Sequence, residues 1–432
     1  MRMRISSAHV VDPANDVNQV TDLFIADGRI VGLGKAPDGF EPERNLDASG
    51  LVLMPGIVDL RARLREPGAE HKGTIASETL AAVRGGITTL CCPPDTDPVV
   101  DTPAVAELIH QRAATSRLAR VDVLGALTRN LDGQNLAEMG ALREAGCLGV
   151  SNALQPVSDT EVMRRAMEYA ATFGLTVFVH AEDPWLAKGR VVHDGAVGTR
   201  LGLGGIPEIA ETIAVARELL LVEQTGTRVH FCHLSTGPAV DMVRDAQSHG
   251  LPVSADVAVH QLFLTEQDVD AFNSYCHVRP PVRSLDDRAR LRAGVRAGVL
   301  GSICSDHQPH ELDAKLNPFA DTAPGISAVD SLLALVIGLV ADNELTLAQA
   351  VKALTCGPAA ALGIDRGTLS LGSPADICLF DPDEQWVLDD TSMLSRGHNT
   401  PFKGHTLKGR ARCTLVDGRV VFEASPLRAA VG

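Results

Sequence analysis

Three side chains able to hold a metal fall at the ends of three separate apolar runs. They are His180 in LTVFVHA, His233 in RVHFCHL and Asp306 in GVLGSICSD. Imidazole nitrogen and carboxylate oxygen suit zinc, and catalytic zinc sites commonly use three protein ligands. A lone strand-end histidine needs no more role than bonding a loop. Three such residues, with His307 and His310 following in SDHQPH, point to a site of metal-binding descent. A fourth run, Ile57-Val58-Asp59-Leu60, delivers different chemistry: it leads into Arg61, Arg63 and Arg65. Residues i and i+2 of an extended chain share a face, so these guanidiniums are expected to point the same way. A guanidinium stays protonated and offers a cation no lone pair.

These residues must be positioned by a repeating framework. Apolar strand-like runs at 51–60, 88–92, 121–127, 148–153, 175–181, 228–234, 251–257 and 298–306 alternate with amphipathic helical segments. One helix is expected in DTEVMRRAMEYAATFG, capped by Asp159 or Thr160 and stopped at Gly174; another lies in IAETIAVARELLLVEQTG. Eight strands alternating with helices over about 300 residues is the pattern of a (β/α)8 barrel, whose chemistry sits at the carboxyl ends of the strands. A doubly wound open sheet is weakened by the lack of a Gly-rich phosphate loop after the first strand. The two ends of the chain have another rhythm, strand–turn–strand around Asp27-Gly28 and Asp417-Gly418. They are expected to pair as one small β domain, residues 1–54 with 365–432, beside a barrel of residues 55–364.

The formal charge of −15 argues against a nucleic-acid or anionic-membrane partner. No apolar run reaches the roughly 18–20 residues of a spanning helix, and the start, MRMRISSAHVVDPAN, lacks a secretory pattern. Nine cysteines without a CxxC pair read as reduced, buried thiols of a cytoplasmic protein. Trp185 and Trp386 read as packing residues.

The stretches MPGIVDLRARLREPG, AAVRGGITTLCCPPDTDPV, MRRAMEYA, VFVHAED, VHFCHLST, RPPVR, SDHQPH and SRGHNTPFKGHTLKGRARCTLVDGRVV together resemble the dihydroorotases of the amidohydrolase superfamily over nearly the whole chain. The resemblance implies a distorted (β/α)8 TIM barrel with a small β-sandwich built from both termini. For an active member it implies a zinc centre that opens a cyclic amide. Three ligand positions depart from that pattern. Arg61 and Arg63 stand where active members carry His-x-His, and Ala153, preceded by Asn152, stands where a bridging aspartate belongs. His180, His233 and Asp306 persist, Asp306 at the position of the general base. Among substrate positions Arg65 and His310 match, as does the turn Ala323-Pro324-Gly325, whereas Asp95 and Arg279 each replace an asparagine.

The resemblance therefore implies a vestigial metal pocket (Arg61, Arg63, Ala153, His180, His233, Asp306) and an altered substrate pocket (Arg65, Asp95, Arg279, His310), with no resident cofactor. Arg61 and Arg63 are expected to neutralise the carboxylates left behind, Asp306 first, with Asp59 and Asp95 as further candidates. Asp95 would repel an anionic substrate and Arg279 attract one. Noncatalytic chains of this kind accompany aspartate carbamoyltransferase, so the expected partner is its catalytic chain, with this chain as a homodimer inside a larger hetero-oligomer. Two other readings stay open. One is a cyclic amidohydrolase with a single zinc on His180, His233 and Asp306. The other is a metal-free sensor holding an anionic pyrimidine through Arg65, His310 and Arg279. The segment 311–325 is expected to form a loop at the mouth.

Overall fold

A computed structural model describes residues 2–424. Eight parallel strands, Ile57–Asp59, Ile87–Cys92, Arg120–Ala126, Gly149–Ser151, Thr176–Val179, Val229–Phe231, Val253–Ala258 and Ser302–Cys304, lie side by side in chain order. They are called barrel strands 1 to 8 below. Each falls within or against one of the apolar runs read from the sequence. The ring closes at the mouth: Ser305 N donates to Asp59 Oδ1 (2.9 Å) and Ala62 bridges His307. Side chains from nearly every strand fill the interior, among them Val58, Leu60, Cys91, Leu124, Phe178, Cys232, Ala258 and Cys304. The short helix Cys356–Leu362 adds Ala359 and Leu362 to this cluster. The barrel is thus a packed core, not a pore.

The outer helices follow their sequence signals. Thr160–Thr172 begins where Asp159 accepts from the backbone N–H of Glu161 and Val162, and buries Met163, Ala166, Met167 and Ala170 on one face. Ile209–Thr225 ends where Gly226 turns left-handed. All nine cysteines are unpaired, as expected. No helix among the described residues is long and apolar enough to cross a membrane.

The two ends of the chain join through Val52–Pro55, which pairs with Arg2–Asp12 on one side and with Ile377–Val387 on the other. The expected sandwich takes the form of one continuous mixed sheet of eight strands, curled so that Arg44 reaches Glu423 on its last strand (2.9 Å). The curl encloses a separate core of Met3, Ile5, Leu23, Ile25, Leu53, Ile377, Leu379 and Leu415. Both Asp-Gly turns have positive φ at both central residues (51° and 79°; 49° and 68°), the hairpin geometry their sequence demands. The turns pack on each other so closely that a Cβ on Gly28 would lie 2.8 Å from the carbonyl oxygen of Asp417. Trp386 packs as anticipated, donating from Nε1 to Gly409 O, but Trp185 is 74% exposed and is a surface residue rather than a packing one.

Candidate functional site

The strand-end residues converge on the mouth. Arg61, Arg63, His180, His233 and Asp306 are each at most 5% exposed. Four mouth residues sit in the left-handed region: Arg65 (φ 65°), Ala153 (50°), His233 (40°) and Asp306 (43°). Non-glycine residues there cost of order 1–3 kcal/mol each, and such strain gathers where side chains are aimed at a site.

Both arginines turn to Asp306. Arg61 Nε lies 3.1 Å from Asp306 Oδ1, and Arg63 Nη1 lies 3.4 Å from the same oxygen. Gln308 Nε2 donates to both carboxylate oxygens (3.2 Å each). Arg63 reaches further, to Asp95, with Nε and Nη2 each 2.8 Å from Oδ2. Asp95 is consequently held below the usual carboxylate range: Arg63 and Arg61 outweigh the burial that would raise it. Asp95 therefore offers no free negative charge. Asp59 does not join this network through its side chain's expected guanidinium partners. It accepts from Ser305 N and Oγ instead, because it belongs to the strand 1–strand 8 seam, and burial lifts its pKa to about 6.

On the opposite side, His180 Nδ1 lies 2.8 Å from His233 Nε2. Among the described residues the outer nitrogens, His180 Nε2 and His233 Nδ1, have no hydrogen-bond partner, though His180 Nε2 lies 3.7 Å from Glu182 Oε2. Burial and the positive field of Arg61 push His233 well below its ordinary pKa, so it stays neutral. His180 and His233 do not form, with Asp306, a group whose ligand atoms all lie within 4.8 Å of one another; among the described residues such groups are His230–Cys232–Asp256 and His193–Glu208–Asp287. In the first, both ring nitrogens of His230 are already engaged, with Ser254 Oγ (2.8 Å) and Asp256 Oδ2 (2.9 Å). In the second, the guanidinium of Arg283 lies 3.3 Å from His193 Nδ1.

Ala153 lines a cavity of about 20 Å³ with His180, Glu182 and Glu218. Its methyl group cannot bridge or neutralise cations. Asn152 is committed elsewhere, accepting from Thr128 Oγ1 (2.8 Å) and donating to Gln155 O (2.8 Å). Sequence reading missed Glu182, which pairs with Arg279 through Nε (3.0 and 3.2 Å) and Nη2. Its spacing two residues after His180, which places it on the same face, was the available signal. Arg279 is thus spent on a protein carboxylate and is not a free anion attractor. Arg65 donates to Pro309 O (2.9 Å) and approaches His310 Nε2 (3.1 Å). His310 is pressed down to a pKa of about 2 by burial, Arg65 and Lys72, so it is a neutral ring. A cleft of about 100 Å³ remains beside Arg63, Arg65 and Asp95.

A dinuclear zinc centre does not fit these residues. At the positions that the resemblance assigns to metal ligands stand two fixed cations, Arg61 and Arg63, and a methyl group, Ala153. The guanidiniums already occupy the carboxylate that such a centre would use.

A nearly closed eight-stranded parallel barrel with His and Asp at its strand ends is an architecture of the amidohydrolase kind. The chain superposes on L-hydantoinase (dihydropyrimidinase) from Arthrobacter aurescens with a TM-score of 0.87 at 24% identity, covering 99% of this chain and 97% of that one. A Dihydro-orotase-like family model matches residues 50–238 and an Amidohydrolase family model residues 286–422. A dihydroorotase-like protein from Pseudomonas putida is 51% identical over 97% of this chain and 99% of its own length. Its namesake from Pseudomonas aeruginosa is 50% identical over 98% and 100%. A dihydroorotase from Syntrophotalea carbinolica is 42% identical over 98% and 100%. The chain belongs to the dihydroorotase-like family of amidohydrolases.

Proposed function

We propose that this chain is a noncatalytic dihydroorotase-like protein of pyrimidine biosynthesis, a cytoplasmic structural partner of the aspartate carbamoyltransferase catalytic chain. It would act as a dimer within a larger hetero-oligomer. The observation that carries the reading is the ion pair between Arg61 Nε and Asp306 Oδ1 at 3.1 Å. The residue that the resemblance places at the general-base position is ion-paired with a permanent cation where a metal-bound water would otherwise be acidified. Without a Lewis acid the amide carbonyl is not polarised, and Asp306, held by two arginines and Gln308, has no acidic proton to accept. The fold itself, with its packed barrel and strained strand ends, is intact, which fits a chain kept for assembly. The test is copurification of the two chains followed by a size measurement. A defined hetero-oligomer, with carbamoyltransferase assembly dependent on this chain, supports the proposal. Separate elution with full carbamoyltransferase activity alone sinks it.

One observation favours a second reading, a cyclic amidohydrolase with a single zinc. Among the described residues His233 Nδ1 has no hydrogen-bond partner and His180 Nε2 meets only Glu182 Oε2, 3.7 Å away, and the 42%-identical relative is named a dihydroorotase. Hydrolysis of dihydroorotate, a hydantoin or allantoin in proportion to bound zinc would establish that reading in place of the first.

A further inference from the structure

A second concavity, of about 270 Å³, lies between the 311–325 loop and residues 390–403. It shares only His310 with the mouth residues described above. Its walls include Tyr275, Lys315, Asp390, Arg396, His398 and Lys403. Lys315 is 4% exposed. Its Nζ donates to Ala323 O (2.7 Å) and His277 O (3.4 Å), and among the described residues no carboxylate comes within ion-pair distance. A buried ammonium without a counter-charge is unfavourable, and burial draws this one down to a pKa of about 7. Arg396 is likewise without an acidic partner among the described residues; its guanidinium donates to Glu70 O (3.0 Å). The one carboxylate of the lining, Asp390, is shared by Lys403 (2.6 Å) and His398 (2.8 Å). The cavity therefore carries a surplus of positive charge in a chain whose formal charge is −15.

We propose that this cavity binds a small dianion, a phosphate monoester or a dicarboxylate, with Lys315 at its buried wall and Arg396 and Lys403 at its rim. The ligand supplies the missing counter-charge to Lys315. That side chain also ties two parts of the 311–325 segment together, since Lys315 Nζ donates to Ala323 O (2.7 Å). Occupancy of the cavity thus bears on the 311–325 segment.

The test uses the full chain, titrated by calorimetry with inorganic phosphate and, separately, with succinate at fixed ionic strength. Saturable binding of one probe is expected, and which one binds identifies the ligand class. Lys315→Met, and separately the surface pair Arg396→Ala with Lys403→Ala, should each weaken it by about tenfold or more, because each removes a charge partner. Arg65→Gln should weaken it far less than the wall and rim variants, since Arg65 serves the mouth and reaches the cavity only through its contact with His310. Failure of both probes to bind saturably overturns the proposal. So does affinity unchanged in the folded rim variant and in Lys315→Met, or binding lost only in Arg65→Gln, which would move the ligand to the mouth.

Discussion

At barrel strands 1, 2 and 8 the mouth has resolved into charge pairs: Asp306 meets Arg61 and Arg63, and Asp95 meets Arg63. At strands 5 and 6, His180 and His233 bond each other; His233 Nδ1 has no hydrogen-bond partner among the described residues and His180 Nε2 meets only Glu182 Oε2 at 3.7 Å. The arginine nitrogens left without a hydrogen bond, Arg61 Nε and Nη2 and Arg63 Nη2, sit instead beside the carboxylates that neutralise them. The contrast follows from charge. A buried guanidinium is tolerable only when neutralised, so arginines placed beside a carboxylate must pair with it. A neutral imidazole carries a smaller desolvation cost and keeps an idle lone pair at a cost of about 1–3 kcal/mol. The arginine side is accounted for by folding energetics. The histidine side is not accounted for in that way, and its nitrogens free of a hydrogen bond are what the single-zinc reading rests on.

Arg61→Met attacks the arginine side most severely. It leaves Asp306, whose side chain is 1% exposed, with a weaker pair to Arg63 at 3.4 Å. A loss of about 3–5 kcal/mol in urea unfolding is expected. Adding Asp306→Asn should recover part of it, because the orphaned charge goes with the partner. Full additivity of the two substitutions would show that the pair does not couple.

Lowering the pH sharpens the contrast from the neutral side. His260 and His277 are held to pKa values of about 4 and His310 to about 2, chiefly by burial. The unfolded chain takes up these protons near 6.5, so between the two values it binds more protons than the fold. Stability should therefore decline as pH falls from about 6.5 toward 4, offset in part below about 6 by Asp59, whose burial-raised pKa makes the fold take up that proton before the unfolded chain does. Asp95, held below the usual carboxylate range by its arginines, withdraws its contribution only as pH falls further. A flat profile in urea midpoints over that first interval would contradict the assignment of neutral buried rings.

Asp95→Asn removes one arm of the arginine network but leaves Arg63 beside Asp306. With the Asp95 side chain 24% exposed, a loss of about 1–2 kcal/mol is expected by the same unfolding assay. His180→Gln should have the smallest effect, under about 1 kcal/mol, since it sacrifices one hydrogen bond and removes an unbonded nitrogen. An effect as large as that of Arg61→Met would mean that the histidine pair holds the mouth together.

The barrel was legible because each strand is a short apolar run bounded by turn chemistry, and both Asp-Gly hairpins carry their backbone geometry in their residue types. The mouth was legible only as a set of positions. That Arg61 and Arg63 share a face follows from the period of an extended chain, and Asp306 as their first partner follows from charge. That Asp59 would instead bond Ser305 depended on how strands 1 and 8 close the ring, which no local pattern encodes. Arg279 and Glu182 lie 97 residues apart, so their pairing, which removes Arg279 as an anion attractor, is purely tertiary. Trp185 shows the same limit from the surface: a large apolar side chain does not announce which way its turn will point it.

The central claim, that guanidiniums occupy the space of a zinc pair, is tested most directly by elemental analysis of the protein purified without chelators and supplied with zinc. Substoichiometric zinc, unchanged after dialysis against excess, is the expected result. Two zinc ions retained per chain, with Arg61 and Asp306 parted to admit them, would contradict it.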